Sequence, residues 1–199
     1  MGRPASRQHR KLDRLRASVN SKSTLTSSLL QLRTKTQFVF VSLVNHLDLG
    51  CDQVDIKAAF LCGDLEETIY LPPRNNIPAD KVLHLRKSLY GFKQSPRCFN
   101  KAFDEWLRGQ GLTPTGADPC IYTRRQGNTF LMLSVHVNDH LIACNSRSAL
   151  DSFKLTLNNK FECSDSGPAG YSLGVTIYRD RPARKLYNII SRQYLIGLT

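Results

Sequence analysis

The sequence has no apolar stretch near the roughly 18 to 20 residues that a membrane span requires. Its densest run, Phe38 to Val44, is short and interrupted by Ser42, so no membrane association is expected. The basic stretch Met1 to Arg16 is followed by neither an apolar segment nor a small-residue cleavage site, and no secretory leader is expected. The six cysteines (Cys51, Cys62, Cys98, Cys120, Cys144, Cys163) include no C-x-x-C pair and have no histidine at finger-like spacing. That spacing argues against structural zinc and for reduced thiols packed in a core, hence an intracellular compartment, cytoplasmic or nuclear. With only 12 Gly and 9 Pro among 199 residues, collagen-like repeats and wholesale disorder are also excluded.

Acidic residues are scarce too, 16 against 28 Lys and Arg, for a net charge of +12. The excess is uneven. Residues 1–40 carry nine basic side chains and one acid, which gives +8 there and leaves +4 for the rest. A Ser/Thr-rich, aromatic-poor segment of this kind buries too little apolar surface to offset its ordering entropy, so residues 1–28 are expected to form a disordered arm and residues 29–199 the folded domain. Arg3, Arg7, Arg10, Lys11, Arg14 and Arg16 are the candidate nucleic-acid contacts of that arm, through phosphate neutralisation. A solvated tail with no partner would have the same composition.

From about Thr36 the pattern tightens. Phe38 to Leu47 fits either helix or buried strand. Cys51 to Ile56 reads as a short strand, with others at Ile69 to Leu71 and Val82 to Leu85 and a loop around Asn75-Asn76. Ser95-Pro96 opens the clearest helix, with Ser at the N-cap and Pro at the first helical position. Phe99, Ala102, Phe103, Trp106 and Leu107 make its apolar face, and Gly109 and Gly111 end it. Cys120 to Arg124 and Thr129 to Val137 read as strands joined by Gln126-Gly127-Asn128. Leu141 to Cys144 follows across Asn138-Asp139, a tight hairpin with Asp139 at its tip. A helix carrying Leu150, Phe153, Leu157 and Phe161 comes next, then a strand Tyr171 to Tyr178, a polar turn Arg179 to Lys185 and a partner strand Leu186 to Ile190. Strands and helices alternate irregularly, without a βαβ repeat, which favours an α+β fold.

Three blocks together resemble one family. Residues 53–67, QVDIKAAFLCGDLEE, resemble the "Q-x-D-V-K-T-A-F-L-N-G-D-L-E-E" block of copia-type (Ty/copia) LTR-retrotransposon reverse transcriptases, and residues 85–97, LRKSLYGFKQSPR, resemble that family's "L-K-K-S-L-Y-G-L-K-Q-S-P-R". Residues 134–143, SVHVNDHLIA, stand where the family has "L-Y-V-D-D-M-L-I-A". Shorter matches stand in chain order at Ala117 to Tyr122, before the third block, and at Leu173 to Ile177, after it.

The resemblance implies a right-hand polymerase palm, an antiparallel sheet backed by helices, with partial fingers and little or no thumb. The fingers are expected to be partial because residues 1–26 do not resemble the family's upstream finger segment. It also implies RNA-directed DNA synthesis on an RNA or DNA template-primer. Such chemistry is an in-line attack on an α-phosphate with two Mg2+ ions bound by carboxylates. By resemblance the catalytic positions are Asp55, Asn138 and Asp139, with Asp55 and Asp139 as metal ligands. Ala58 and Ala59 stand where backbone N–H groups approach the triphosphate, and Phe60 where an aromatic lies under the incoming sugar, although a core Phe would fit the same surroundings. Tyr90, Gly91 and Lys93 belong to the segment that packs against template and incoming base.

The hairpin departs from the family. Tyr-Val-Asp-Asp is replaced by His136-Val137-Asn138-Asp139, so a carboxylate expected beside two divalent ions is an amide. Losing about 3 to 5 kcal/mol of transition-state stabilisation would slow catalysis roughly 10²- to 10⁴-fold. The residues favour a transposon-derived reverse transcriptase fragment that is catalytically inactive. The alternatives are a weakly active polymerase that needs partner chains, and a non-catalytic nucleic-acid-binding protein.

Overall fold

The computed structural model describes residues 34–71, 78, 82–89, 92 and 94–190. The basic arm and the Asn75-Asn76 loop lie outside these. The ambiguous apolar run belongs to a helix, α1 (Thr34–His46). Gln37, Phe40, Val41 and Val44 are buried at helical spacing, while Val39 and Leu43 face outward. The chain leaves α1 through Asp48, which takes a left-handed conformation, and enters β1 (Gly50–Ile56).

A single 3₁₀ turn (Ala59–Leu61) follows, then β2 (Asp64–Leu71) and β3 (Leu83–Lys87), which pair with each other as a small sheet. Helix α2 (Ser95–Gly109) leads to β4 (Thr113–Pro114), β5 (Ile121–Gln126), β6 (Thr129–His136) and β7 (Asp139–Cys144). Helix α3 (Arg147–Lys160) precedes β8 (Cys163–Pro168), β9 (Tyr171–Ser172), β10 (Val175–Asp180) and β11 (Lys185–Ile190).

The main sheet has the order β4-β5-β6-β7-β1-β8, and its pairings are antiparallel. One face carries Val54, Ile56, Leu131, Leu133, Val135 and Ile142, on which α2 lays Phe99, Phe103 and Leu107 and α3 lays Leu150, Phe153 and Leu157. The opposite face carries Met132, Leu141 and Ala143 under Phe40, Val41 and Val44 of α1, with Ile177 and Leu186 of the β9-β10-β11 sheet packed alongside. The fold is therefore α+β with antiparallel sheets, and three helices among the described residues. None of those helices is long and apolar enough to cross a membrane. All six cysteines are free thiols; Cys120 and Cys144 are buried and the other four half-buried.

Several local expectations need correction. The N-cap of α2 is Gln94, without a side-chain cap, and the Ser95 hydroxyl donates instead to the Leu89 carbonyl. The expected strand from Tyr171 to Tyr178 is broken in two, because Leu173 and Gly174 both adopt positive φ (51° and 77°) and turn β9 back against β10. The β6-β7 hairpin turns through Val137-Asn138, since His136 pairs with Asp139, so Asp139 opens β7 instead of sitting at the tip. Strand β8 was not expected: its sequence, CSDSGP, has no apolar alternation, and its pairing with β1 is what makes it a strand.

Candidate active site

Antiparallel pairing of β1 with β7 sets Asp55 directly opposite Asp139. The turn is tied to β1 as well, because the Ile56 N–H donates to the Asn138 carbonyl at 2.8 Å. Two carboxylates and one amide from distant parts of the chain thus converge at one end of the sheet. Val137, at φ 51°, is a β-branched residue in the left-handed region, a costly conformation held in place by the pairing on both sides of the turn.

The two carboxylates differ in their surroundings. Asp139 Oδ1 accepts from the Gln53 side-chain amide at 2.9 Å, and its Oδ2 accepts from the Ser172 hydroxyl at 2.9 Å. Asp55 has no hydrogen-bond donor among the described residues. Burial, and next the charge of Asp139, hold its carboxyl above the ordinary value. The Asn138 Oδ1 is buried without a partner.

Two histidines flank this pair. Burial lowers the affinity of half-buried His136 for a proton, partly opposed by the charge of Asp139. His140 is 0% exposed and stacks on Phe103 with ring centroids 5.0 Å apart. Neither of its ring nitrogens has a well-formed hydrogen bond. Burial first and the nearby His136 second push its pKa down to about 3, opposed only weakly by the Ser134 backbone. It is a neutral histidine in an apolar core.

Beyond β1, Ala58 is exposed and left-handed at φ 50°, Ala59 is buried in the α2-α3 core, and Phe60 is half-buried against the same core. This turn is seated by Gly63, where a Cβ would lie 2.5 Å from the Cys98 carbonyl carbon at the start of α2. The Ser88 hydroxyl donates to the Phe60 carbonyl and braces the turn from the other side. Tyr90, Gly91 and Lys93 lie outside the described residues, as do Arg3, Arg7, Arg10, Lys11, Arg14 and Arg16. Gln53 and Ser172 are the site residues that the sequence reading missed. The period-2 alternation of a strand puts Gln53 on the face of Asp55, a signal that was available; Ser172 comes from another sheet and had none.

Reverse transcriptases in general use a divalent metal, Mg2+. No group of three or more His, Cys, Asp or Glu side chains forms a metal cluster among the described residues. Asp55, Asp139 and the unpartnered Asn138 Oδ1 are hard oxygen donors suited to one divalent cation. They fall one carboxylate short of a two-ion set.

The site is thus an acidic pair on adjacent antiparallel strands beside a two-residue turn. The family profile for reverse transcriptase (RNA-dependent DNA polymerase) matches residues 33–195, and the chain belongs to that family. Its relatives are the copia-type Pol polyproteins of plants and yeast. The retrovirus-related Pol polyprotein from transposon TNT 1-94 of Nicotiana tabacum is 41% identical over 152 residues, covering 74% of this chain and 11% of that protein. The Pol polyprotein from transposon RE1 of Arabidopsis thaliana is 30% identical over 150 residues, 73% of this chain and 10% of that protein. The putative transposon Ty5-1 protein of Saccharomyces cerevisiae is 28% identical over 130 residues, 63% of this chain and 42% of that protein. The chain thus spans about a tenth of the length of the first two relatives.

Proposed function

We propose that residues 29–199 are the palm and partial fingers of a copia-type reverse transcriptase whose nucleotidyl-transfer site is silenced by Asn138, preceded by a basic arm over residues 1–28. The observation that carries this reading is the Asp55-Asp139 pair, opposed across β1 and β7, with an amide at the adjoining turn position. Asp55 and Asp139 would hold the cation. When bound, such an ion favours the ionised primer 3′-OH and offsets charge on the leaving pyrophosphate. The chain's own residues do the positioning: the exposed, left-handed Ala58 presents its backbone N–H to a triphosphate, and Phe60 bounds the sugar. Ala59, expected to do the same as Ala58, is instead buried and anchors the turn in the core. By the family resemblance, contact with the template and the incoming base would fall to Tyr90, Gly91 and Lys93.

Asn138 keeps the shape of an aspartate and one carbonyl oxygen but carries no charge. The two remaining carboxylates supply less of the negative potential that concentrates a divalent ion, so both occupancy and transition-state stabilisation fall. Primer extension on an RNA template tests the reading. The full chain is expected to extend no primer above background with Mg2+, and Asn138→Asp is expected to raise extension by about 10²-fold or more. Extension by the unaltered chain at the rate of an intact reverse transcriptase would overturn silencing. An inactive Asn138→Asp variant would place the defect elsewhere.

A further inference from the structure

Asp139 is gripped from two different sheets. Gln53 pairs with Leu141 across the β1-β7 ladder, so Asp139 is its diagonal neighbour, one that a side chain as long as glutamine reaches. Ser172, 3% exposed, ends β9 just before the Leu173-Gly174 turn and reaches the other carboxylate oxygen from the β9-β10-β11 sheet. Each donor is neutral and each takes one oxygen. A carboxylate offers about four lone-pair positions, so two donors fix its orientation and leave acceptor capacity on both oxygens. Asp55 has no such grip among the described residues.

We infer that Gln53 and Ser172 are positioning residues that lock the Asp139 carboxylate for a divalent cation shared with Asp55. The inference rests on the cation-binding reading of the site given above. Outer hydrogen bonds of this kind orient ligands before the ion arrives, and their loss typically lowers metal affinity 10- to 100-fold. The grip also joins the two sheets: Ser172 stands immediately before the Leu173-Gly174 turn, whose positive φ values fold β9 back against β10. Neither Gln53 nor Ser172 touches substrate in this scheme. They act through Asp139.

Mn2+ titration of the full chain, followed by water-proton relaxation, tests the inference, with Asn138→Asp as a second background of higher affinity. Gln53→Leu removes the donor, Gln53→Asn keeps the amide but is one methylene too short for the diagonal, and Ser172→Ala removes the hydroxyl. Each is expected to weaken Mn2+ binding about 10-fold or more while thermal midpoints stay close to that of the parent, and Ser172→Thr is expected to restore binding. If Ser172→Ala unfolds, the two Gln53 variants carry the test. Mn2+ affinity unchanged in Gln53→Leu and Gln53→Asn, yet lost in Asp139→Asn, would overturn the positioning role and leave the cation site standing. Affinity indifferent to Asp139→Asn would overturn the cation site itself, and the positioning role with it.

Discussion

Asp52 leaves β1 on the side of α3, where it is 1% exposed and meets Arg147 through two oxygens at 3.0 and 2.9 Å, and Lys154 as well. Asp55, three positions on and on the opposite face, lies across from Asp139 and makes no ion pair among the described residues. Lys154 is itself 11% exposed and is shared with Asp165 at 2.8 Å, while Arg147 also holds Asp151 at 2.7 Å. One end of the strand is a closed network in which every buried charge has an opposite. At the other end like charges are set together, a histidine is buried without a well-formed hydrogen bond, and a valine is held at positive φ. Unsatisfied electrostatics are tolerated where a ligand can complete them, and rarely elsewhere.

The sharpest way to break this comparison is to neutralise Asp52. Asp52→Asn removes the buried carboxylate that Lys154 and Arg147 share and leaves Lys154, whose ammonium lies mostly out of water, only the more exposed Asp165 and Asp151. Leaving a buried charge with no partner typically costs about 3 to 5 kcal/mol, and the retained Asp165 and Asp151 reduce that here to about 1 to 3 kcal/mol. Urea denaturation is expected to show a loss of that order, with an unchanged slope. A loss below about 1 kcal/mol would mean that Asp165 and solvent compensate Lys154 in full and that Asp52 does not close this end of β1.

His140 gives the next largest effect. The family block quoted above has methionine at this position, a residue that would fill the space under Phe103 without stranding two ring nitrogens. His140→Met is expected to raise stability by about 1 to 2 kcal/mol at neutral pH, the cost of an unsatisfied buried polar group. It should also change the response to acid. The folded-state pKa is depressed from 6.5 to about 3, so the unfolded chain takes up the proton first as pH falls. Stability is full above about 6.5 and is then lost at up to about 1.4 kcal/mol per pH unit. His136, also depressed, adds to the same window, so the difference between parent and His140→Met isolates His140. Denaturation between pH 4 and 7 in a chelating buffer reads it. Parallel pH curves for the two proteins would show that His140 is hydrated.

Much of this architecture was legible in the sequence, and the failures have physical causes. Strand β1 and the helix opened by Pro96 follow from alternation and periodicity. The convergence of Asp55 with the Asn138-Asp139 segment was implied by the family blocks, although the turn lies one residue earlier than expected. That shift matters: with Val137-Asn138 as the loop, β7 begins at Asp139, and its alternation sends His140, Ile142 and Cys144 into the α2-α3 core. Strand β8 was illegible because its identity comes from β1 and from the Lys154-Asp165 pair, not from its own residues. The break at Leu173 was hidden because a leucine at positive φ has no composition signal. Contacts such as Ser172 to Asp139 join two sheets, and no local pattern announces them.

The smallest effect is the most pointed, because it repeats the first substitution three residues away. Asp55 has a carboxyl pKa held above 3.8, by burial first and by Asp139 second. An acid with a raised folded-state pKa binds more protons folded than unfolded between 3.8 and its folded value. Stability therefore declines as pH rises through that window and stays at the lower level above it. Asp55→Asn removes this penalty, so it is expected to leave stability at neutral pH unchanged or higher by a few tenths of a kcal/mol, about the size of a partly exposed charge interaction. The gain should vanish below pH 3.8, where the parent carboxyl is protonated in both states. Mn2+ should reverse the order, since a cation that binds the folded parent through Asp55 stabilises it in proportion to the logarithm of its concentration, and the variant has lost that ligand. Were Asp55→Asn to cost as much as Asp52→Asn in metal-free buffer, Asp55 would be a structural carboxylate with a partner of its own, and the two ends of β1 would be alike.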